Sequence, residues 1–469
     1  MSRGLLLAAP RPAVIRRSPR APWLAVGVVC FGAFMGQLDA SIVTLTFAPM
    51  QRAFGAPLAA VQWVSLGYLL ALVALLAPAG RIADIFGRKL VYGYGFIVFT
   101  AGSAACALAP GLGLLIGCRL VQAAGAAMLQ ANSVALVTTS VPRDRMRLAL
   151  SIQAAAQAIG LGLGPTLGGL LAQSAGWRAV YWINVPVGCA AVLAGRYLLP
   201  RTRQLSPPGP VDWPGAAALA AATTALLLVL SHAAGLPLPG WSVIALGAAA
   251  IAAGAAFAVR ERRAAAPLIP VALLRSRRVT LGLAGALLGY LTLFGPLVLI
   301  PAALAGQQQP GHELRAGLLL SVLPASFGLA ALAGEAVPPR SVSSRLRGCA
   351  GAACCAAALA ALAALPLTTT AIAACLAAAG LGLGVFVPAN NAVIMSGAPA
   401  ASAAVLGGLV SAARGIGTTL GIALVALALH AAGPALALAL LAGAAATAAL
   451  VALAGTPRSA RPPGAAHGT

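Results

Sequence analysis

The sequence predicts an all-α integral membrane protein with fourteen spanning helices. Three observations carry this: a composition too apolar for water, apolar runs of helical length, and basic residues confined to alternate gaps between the runs. Of 469 residues, 61% are hydrophobic and 8% charged, whereas a soluble domain carries about 25% charged residues. Such an apolar excess has to face lipid. Helical runs of about 20 residues at 1.5 Å rise cross about 30 Å of hydrocarbon. The runs are rich in Ala, Leu and Gly and do not alternate, which argues against a lipid-facing barrel.

Breaks at Pro, Gly and Arg clusters start the spans near Trp23, Ala59, Leu90, Gly111, Leu148, Arg178, Val211, Gly240, Val279, Ala316, Gly348, Thr368, Ala403 and Gly433. Cytoplasmic loops retain Lys and Arg, so orientation follows from those residues alone. With the N-terminus inside, only Arg52, Arg178 and Arg315 fall outside and only Arg119 and Arg414 fall within spans. The other 25 of the 30 basic residues lie on the inner side. A miscounted helix would scramble this pattern downstream. Both termini are therefore expected in the cytoplasm. The first 22 residues, MSRGLLLAAPRPAVIRRSPRAP, are basic, and their apolar stretch is too short for a signal segment. A twin-arginine look at RRSPRAPWLAVGVV does not imply cleavage, which would remove the first spanning helix.

An internal repeat appears when residues 155–164, AAQAIGLGLG, are laid over residues 412–421, AARGIGTTLG. Ala155, Ala156, Ile159, Gly160, Leu163 and Gly164 match Ala412, Ala413, Ile416, Gly417, Leu420 and Gly421, and at nearly the same offset Ala131-Asn132 overlays Ala389-Asn390. Helices 4 and 5 thereby pair with helices 12 and 13. That spacing fits two six-helix halves separated by two extra helices, a plan used by secondary transporters. The expected organisation is a basic tail (1–22), a first half (23–200), a two-helix insert with linkers (201–278), a second half (279–455) and a second tail (456–469).

The segment between helices 2 and 3 reads GRIADIFGRK, residues 80–89. Gly80 and Gly87 allow tight turns. Asp84 can pair with Arg81 or Arg88, or sit at a helix N-terminus, where a carboxylate is favoured. A short basic loop that only sets topology would also look like this, but the spacing closely resembles the loop signature of the major facilitator superfamily, ending in Arg88 and Lys89. Other segments resemble its fourteen-helix drug:proton antiporter branch: LDASIV at 38–43, RLVQAAGAA at 119–127, GLGLGPTLGGLL at 160–171 and WRAVYWINVPVG at 177–188. VDWPGA at 211–216 and ERRAAAPLIPVALLRSRR at 261–278 extend the resemblance over nearly the whole chain. Ala123 stands where that branch expects a glycine. The second-half counterpart of the loop signature, GEAVPPRSVSSR from Gly334, is degraded, which questions symmetric gating.

The chain uses seven acidic residues and carries a formal charge of +23, yet it places Asp39 well inside the first span. Desolvation raises the pKa of a buried carboxylate and lets it exchange protons near neutral pH; a structural cap bonded to Ser41 or to a neighbouring helix is the alternative. Glu335, near the inner end of helix 10, is the second-half rival. Arg119 inside helix 4 costs about 2.5–3.5 kcal/mol on insertion scales and needs a polar partner unless it snorkels. Gln122, one turn away, shares its face. The resemblance implies a proton-transfer role for Arg119, with Arg414 in helix 13 as the second-half candidate. In helix 5, Gly160, Gly164 and Gly168 recur every fourth residue and form a groove for close helix approach, Pro165 permits a kink, and Gly169 follows. The resemblance associates this string with export by antiport.

Polar and aromatic residues within spans are candidates for a substrate cavity: Gln37, Trp63, Tyr68, Gln130, Asn132, Gln153, Gln157, Tyr290, Phe294, Asn390, Asn391 and Arg414. Each also suits an interhelical hydrogen bond or an interfacial aromatic. Scattered over both halves, they suit a mostly apolar, tolerant pocket. Enzyme chemistry is not expected, because His232, His312, His430 and His467 lack ligand spacing and Cys30, Cys106, Cys118, Cys189, Cys349, Cys354, Cys355 and Cys375 lie in or at apolar runs as packing residues. No ATP-binding glycine motif is present, and the charge pattern does not suit nucleic acid. The expected function is proton-driven export of small hydrophobic or amphipathic compounds by a bacterial inner-membrane monomer. The proton gradient serves in place of any cofactor, and the partners are the small-molecule substrate, protons and the bilayer. An importer or symporter of the same superfamily, or a membrane protein that transports nothing, is the alternative.

Overall fold

The computed structural model describes residues 11–201, 212–233, 238–264, 271–304, 312–333, 342–396 and 403–454, and every regular element among them is helical. The long helices are α1 (Ala21–Ile42), α2 (Leu58–Phe86), α3 (Arg88–Leu108), α4 (Leu112–Ser140), α5 (Met146–Ser174), α6 (Asn184–Leu198), α7 (Trp213–Ala233), α8 (Gly240–Arg263), α9 (Arg277–Leu304), α10 (His312–Ala333), α11 (Ser344–Ala364), α12 (Thr369–Ser396), α13 (Ala403–Ala432) and α14 (Pro434–Ala454). Their sequences are apolar on every face, as expected where one face meets protein and the other lipid. Twelve satisfy a membrane-crossing length and composition; α7 and α10 are the other two. Glu335, the degraded loop signature up to Ser341 and the tail at 456–469 lie outside the described residues.

Most helix starts fall within about one turn of the expected positions. Helix α6 differs: a short turn, Ala179–Trp182, precedes it, and the helix proper begins at Asn184. Between α1 and α2 an unexpected short helix, Phe47–Phe54, follows a 3-10 turn at Val43–Thr46 and ends at Gly55 with φ +61°. Its short amphipathic pattern was too brief to separate from a loop. Gly80 is a further correction, because α2 continues through Phe86 and the chain turns only at Gly87, with φ +111° and ψ 129°. Arg81 and Asp84 therefore project from the last turns of a helix.

The packing repeats with an eight-helix offset. Helix α1 packs on α5 as α9 does on α13, α2 on α4 as α10 on α12, and α3 on α4 as α11 on α12. Helix α5 reaches across to α10, and α13 reaches back to α2 and α4. The insert sits outside this frame. Helix α7 lies on α2 and α13, with Leu228 in one apolar cluster with Trp63, Leu70 and Ile416. Helix α8 packs on α7 and exposes Trp241, Ile244 and Ile251. Asp212 ties the pair together by accepting the Gly215 N–H at 3.1 Å and Arg260 Nε at 2.7 Å.

The glycines of α5 seat α1. A methyl added at Gly160 would strike the Phe34 carbonyl oxygen, one at Gly164 the Ser41 side chain, and one at Gly168 the Ile42 carbonyl oxygen. Gly417 and Gly421 of α13 meet the Leu287 and Leu291 carbonyls of α9 in the same way. Pro165 and Gly169 lie on α5 among them. Gly164→Ala is expected to lower stability by about 1–3 kcal/mol, the usual cost of overpacking a close contact, whereas Gly27→Ala, with nothing within 4 Å, leaves it unchanged. Unfolding in sodium dodecyl sulfate titrations distinguishes the two.

Candidate functional site

Five helices converge on Asp39. The carboxylate and Arg119 are 0% and 1% exposed, which takes both charges out of solvent. Arg119 Nη1 donates to Asp39 Oδ2 at 2.7 Å and to Gln122 Oε1 at 2.7 Å, while Nε donates to the Val64 carbonyl at 3.1 Å. Gln122 Nε2 donates to Asp39 Oδ1 at 3.0 Å and to Ser103 Oγ at 2.7 Å. Asn184 Nδ2, at the first residue of α6, donates to the same two oxygens at 3.1 Å each. Each carboxylate oxygen thus has a donor, and both amide groups use two of their hydrogens, as a buried ion pair requires if it is not to be strongly unfavourable.

Aromatic faces and an apolar roof complete the enclosure. The Arg119 guanidinium carbon lies 4.0 Å from the centroid of Tyr68 and 5.7 Å from that of Tyr181, a cation–π arrangement that strengthens away from water. Met50 from the helix Phe47–Phe54, Val61, Leu115, Trp177 and Val180 belong to the apolar cluster beside the pair, which also includes Leu38 and Tyr181. Phe54 packs on Trp177 at 5.3 Å, and Trp177 meets Tyr181 edge-on at 6.2 Å. The helix Phe47–Phe54 thus joins the apolar cluster that also holds Leu38 and Leu115, the neighbours of the buried charges in their helices. Of the two structural partners expected for Asp39, Ser41 directs its hydroxyl to the Gln37 and Leu38 carbonyls of its own helix at 3.0 Å and 3.1 Å, whereas neighbouring helices do bond the carboxylate.

A second polar site lies at the basic end of the bundle. Asp84 is 1% exposed. Its Oδ1 accepts from Arg88 Nε and Nη2 at 3.2 and 3.0 Å, and its Oδ2 accepts the Val405 backbone N–H, in the first turn of α13, at 2.9 Å. A carboxylate there also meets the positive end of the helix dipole. Lys89 Nζ donates to the Arg196 carbonyl at 2.7 Å. The halves are thus latched at this end, and Arg147 Nη1 adds a bond to the Val342 carbonyl at 3.2 Å. Asp84→Ala is expected to speed backbone hydrogen exchange at the start of α13 severalfold, measured by mass spectrometry, without altering exchange at Asp39.

The cavity candidates separate into groups. Gln37, Gln157, Tyr290 and Phe294 line one pocket between the halves, together with Pro324 and Phe327, and it is pinched to about 10 Å³, roughly the room for one water. Tyr68 belongs to the Arg119 site instead. Trp63 packs towards the insert. Gln153 Nε2 donates to Ser133 Oγ at 3.0 Å, Asn132 Nδ2 to the Met128 carbonyl at 2.8 Å, and Asn390 Nδ2 to the Gly282 carbonyl at 2.9 Å, near the basic end. These three do not line the central pocket. Gln130 lies beside Gly36, its backbone oxygen accepting from Ser411 Oγ at 3.2 Å, and Asn391 is buried on α12. Arg414 is not the counterpart of Arg119: α13 repeats α5, so Arg414 corresponds to Gln157, and its guanidinium lies 5.1 Å from the Tyr290 centroid. Ser103, Tyr181 and Asn184 were absent from the sequence candidates. Asn184 carried a signal, an amide interrupting the apolar run WINVPVG.

Comparison with known proteins places the chain in a family. The chain is 33% identical to a methylenomycin A resistance protein of Streptomyces coelicolor over 416 residues, 85% of this chain and 84% of that protein. It is 36% identical to a tetracenomycin C resistance and export protein of Streptomyces glaucescens over 264 residues, a match that spans 56% of this chain and 48% of that protein. A riboflavin transporter of Clostridioides difficile is 28% identical over 402 residues, 86% of this chain and 87% of that protein. The fold matches the human organic anion transporter MFSD10 with a TM-score of 0.67 at 16% identity, covering 93% of this chain and all of that one. The family model of the Major Facilitator Superfamily matches residues 29–422. With that match added to the repeated six-helix packing and the multi-pass apolar helices, the chain is a membrane transporter of the Major Facilitator Superfamily.

Proposed function

We propose that the protein is a proton-driven antiporter that exports small amphipathic compounds, antibiotics among them, across a bacterial cell membrane, with its basic end and both termini in the cytoplasm. The observation that carries this reading is the buried Asp39–Arg119 pair, held by Gln122, Asn184 and Ser103 on helices that must move relative to one another. Asp39 is the proton carrier. Protonation removes one charge of the pair, so the Arg119 guanidinium loses its carboxylate partner and keeps the Val64 carbonyl, Gln122 and the Tyr68 face. The hydroxyls of Tyr68 and Tyr181 have no hydrogen-bond partner among the described residues, so they are the natural contacts for water entering when the roof of Met50 and Trp177 lifts.

The glycine groove couples this event to the pocket. Helix α1 carries Asp39 and Gln37 and rests on Gly160, Gly164 and Gly168 of α5, which carries Gln157. A change at the ion pair can therefore shift α1 against α5 and resize the pocket, while the Asp84 latch releases at the other end. Export is favoured over uptake by the resistance and export functions of the relatives that cover most or part of the chain. The test is efflux of an antibiotic and dye panel from a drug-sensitive host. Expression should lower accumulation of some members, and a protonophore should abolish the difference. Accumulation that rises on expression would instead indicate an importer.

A further inference from the structure

Beside the pocket between the halves, against the Tyr290 ring that lines it, lies an unmatched charge. Arg414 on α13 is 7% exposed, its Nε has no hydrogen-bond partner, and no carboxylate pairs with it among the described residues. Its pseudo-symmetric equivalent, Gln157, is a neutral amide that accepts the Tyr290 hydroxyl at 3.1 Å. The same offset in the α1–α5 and α9–α13 contacts, Phe34 on Gly160 and Leu287 on Gly417, makes Gln37 the equivalent of Tyr290. Two equivalent pairs, Gln37 with Tyr290 and Gln157 with Arg414, thus come close together: Gln37, Gln157 and Tyr290 line the pocket itself, and Arg414 lies against Tyr290. Arg414 lies 5.1 Å from the centroid of the Tyr290 ring, which also stacks on Phe294 at 6.0 Å and 22°.

A guanidinium offers five donors and no acceptor. The Tyr290 face supplies cation–π attraction but no hydrogen-bond acceptor, and Arg119, the other arginine buried within a span, bonds two polar side chains and a carbonyl, whereas Arg414 has no such bond among the described residues. The Tyr290 hydroxyl occupies Gln157 Oε1, which leaves the Gln157 amide hydrogens as further donors. We infer that Arg414 binds the anionic group of the transported compound, so that the preferred substrates are aromatic acids, carboxylates or acidic phenols with a flat apolar body. Arg414 and the Gln157 amide hold the anion, while Tyr290 and Phe294 receive the body. An acid arriving at Arg414 converts a buried charge with no carboxylate partner among the described residues into a bidentate pair.

This inference rests on the exporter reading only in taking the pocket as the substrate site, and binding tests it without proton coupling. The probes are radiolabelled naphthalene- and anthracene-carboxylates and their primary amides, titrated against purified full-length protein in detergent. Wild type should bind at least one acid about tenfold more tightly than its amide, one charge-assisted bond's worth. Arg414→Gln should bind acid and amide alike, and Arg414→Lys should keep a reduced preference, which separates loss of charge from misfolding. Equal binding of every acid and amide by wild type, binding of none of them, or an acid preference that survives in Arg414→Gln overturns the assignment. If the preference holds but no gradient drives transport in proteoliposomes, the exporter reading fails and the anion site stands.

Discussion

Asp39→Asn is expected to abolish uphill export while leaving the protein in the membrane at wild-type level. Asparagine is neutral at every pH, so the site behaves as though always protonated. Its amide oxygen can still accept from Arg119 at the position of Oδ2, 2.7 Å from Nη1, while its amide nitrogen at the position of Oδ1 meets the donors of Gln122 and Asn184, so at least one of those amides must turn; the cation keeps an acceptor and the titration is lost. The variant should exchange substrate down its own gradient and accumulate none against it, whatever the pH difference. Counterflow and gradient-driven uptake in inside-out vesicles separate these two activities.

Arg119→Gln is expected to be the most destabilising single change in the transport half that carries it. The substitution leaves Asp39 buried without its cation, and breaking a buried pair by removing one partner costs about 3–5 kcal/mol. Asp39 keeps only the amide donors of Gln122 and Asn184. Combining Arg119→Gln with Asp39→Asn removes the stranded charge, so the double variant should regain much of that stability, with a coupling of roughly 0.5–3 kcal/mol or more, yet transport nothing uphill. Thermal unfolding of the purified variants reads the cycle; additive losses would show that the pair is not energetically coupled.

Much of the fold was legible because lipid makes its demands locally. Helix number follows from the length of apolar runs and the placement of Arg, and neither depends on which helices touch. The short helix Phe47–Phe54 escaped because eight residues with a polar side look like a loop, and α2 was cut short because Gly80 and Arg81 read as a turn although the helix accommodates both. The site was legible residue by residue but not as a site. Asp39, Arg119 and Gln122 stand out as polar groups in apolar runs. Their meeting does not, since Asp39 and Arg119 are 80 positions apart and no local spacing brings α1 against α4.

Side chains of ordinary polarity were harder still. Ser103 is one of several serines in spans, and only its two donors, Gln122 and Asn184, distinguish it. Tyr68 was grouped with cavity residues because a span aromatic gives no hint of whether it faces substrate or a cation. Arg414 shows the reverse difficulty. The sequence repeat already aligned it with Gln157, but its status as a charge inside a span made Arg119 look like its partner in kind. The packing of α13 on α9 resolves the matter in favour of the repeat.

The most direct test of proton coupling is proton movement in proteoliposomes holding the purified protein and a pH-sensitive dye. With a transported compound identified by the efflux panel, its addition down a concentration gradient should drive protons the opposite way in wild type and leave the internal pH unchanged in Asp39→Asn. Equal proton movement by the two would contradict the assignment of Asp39 as the proton carrier.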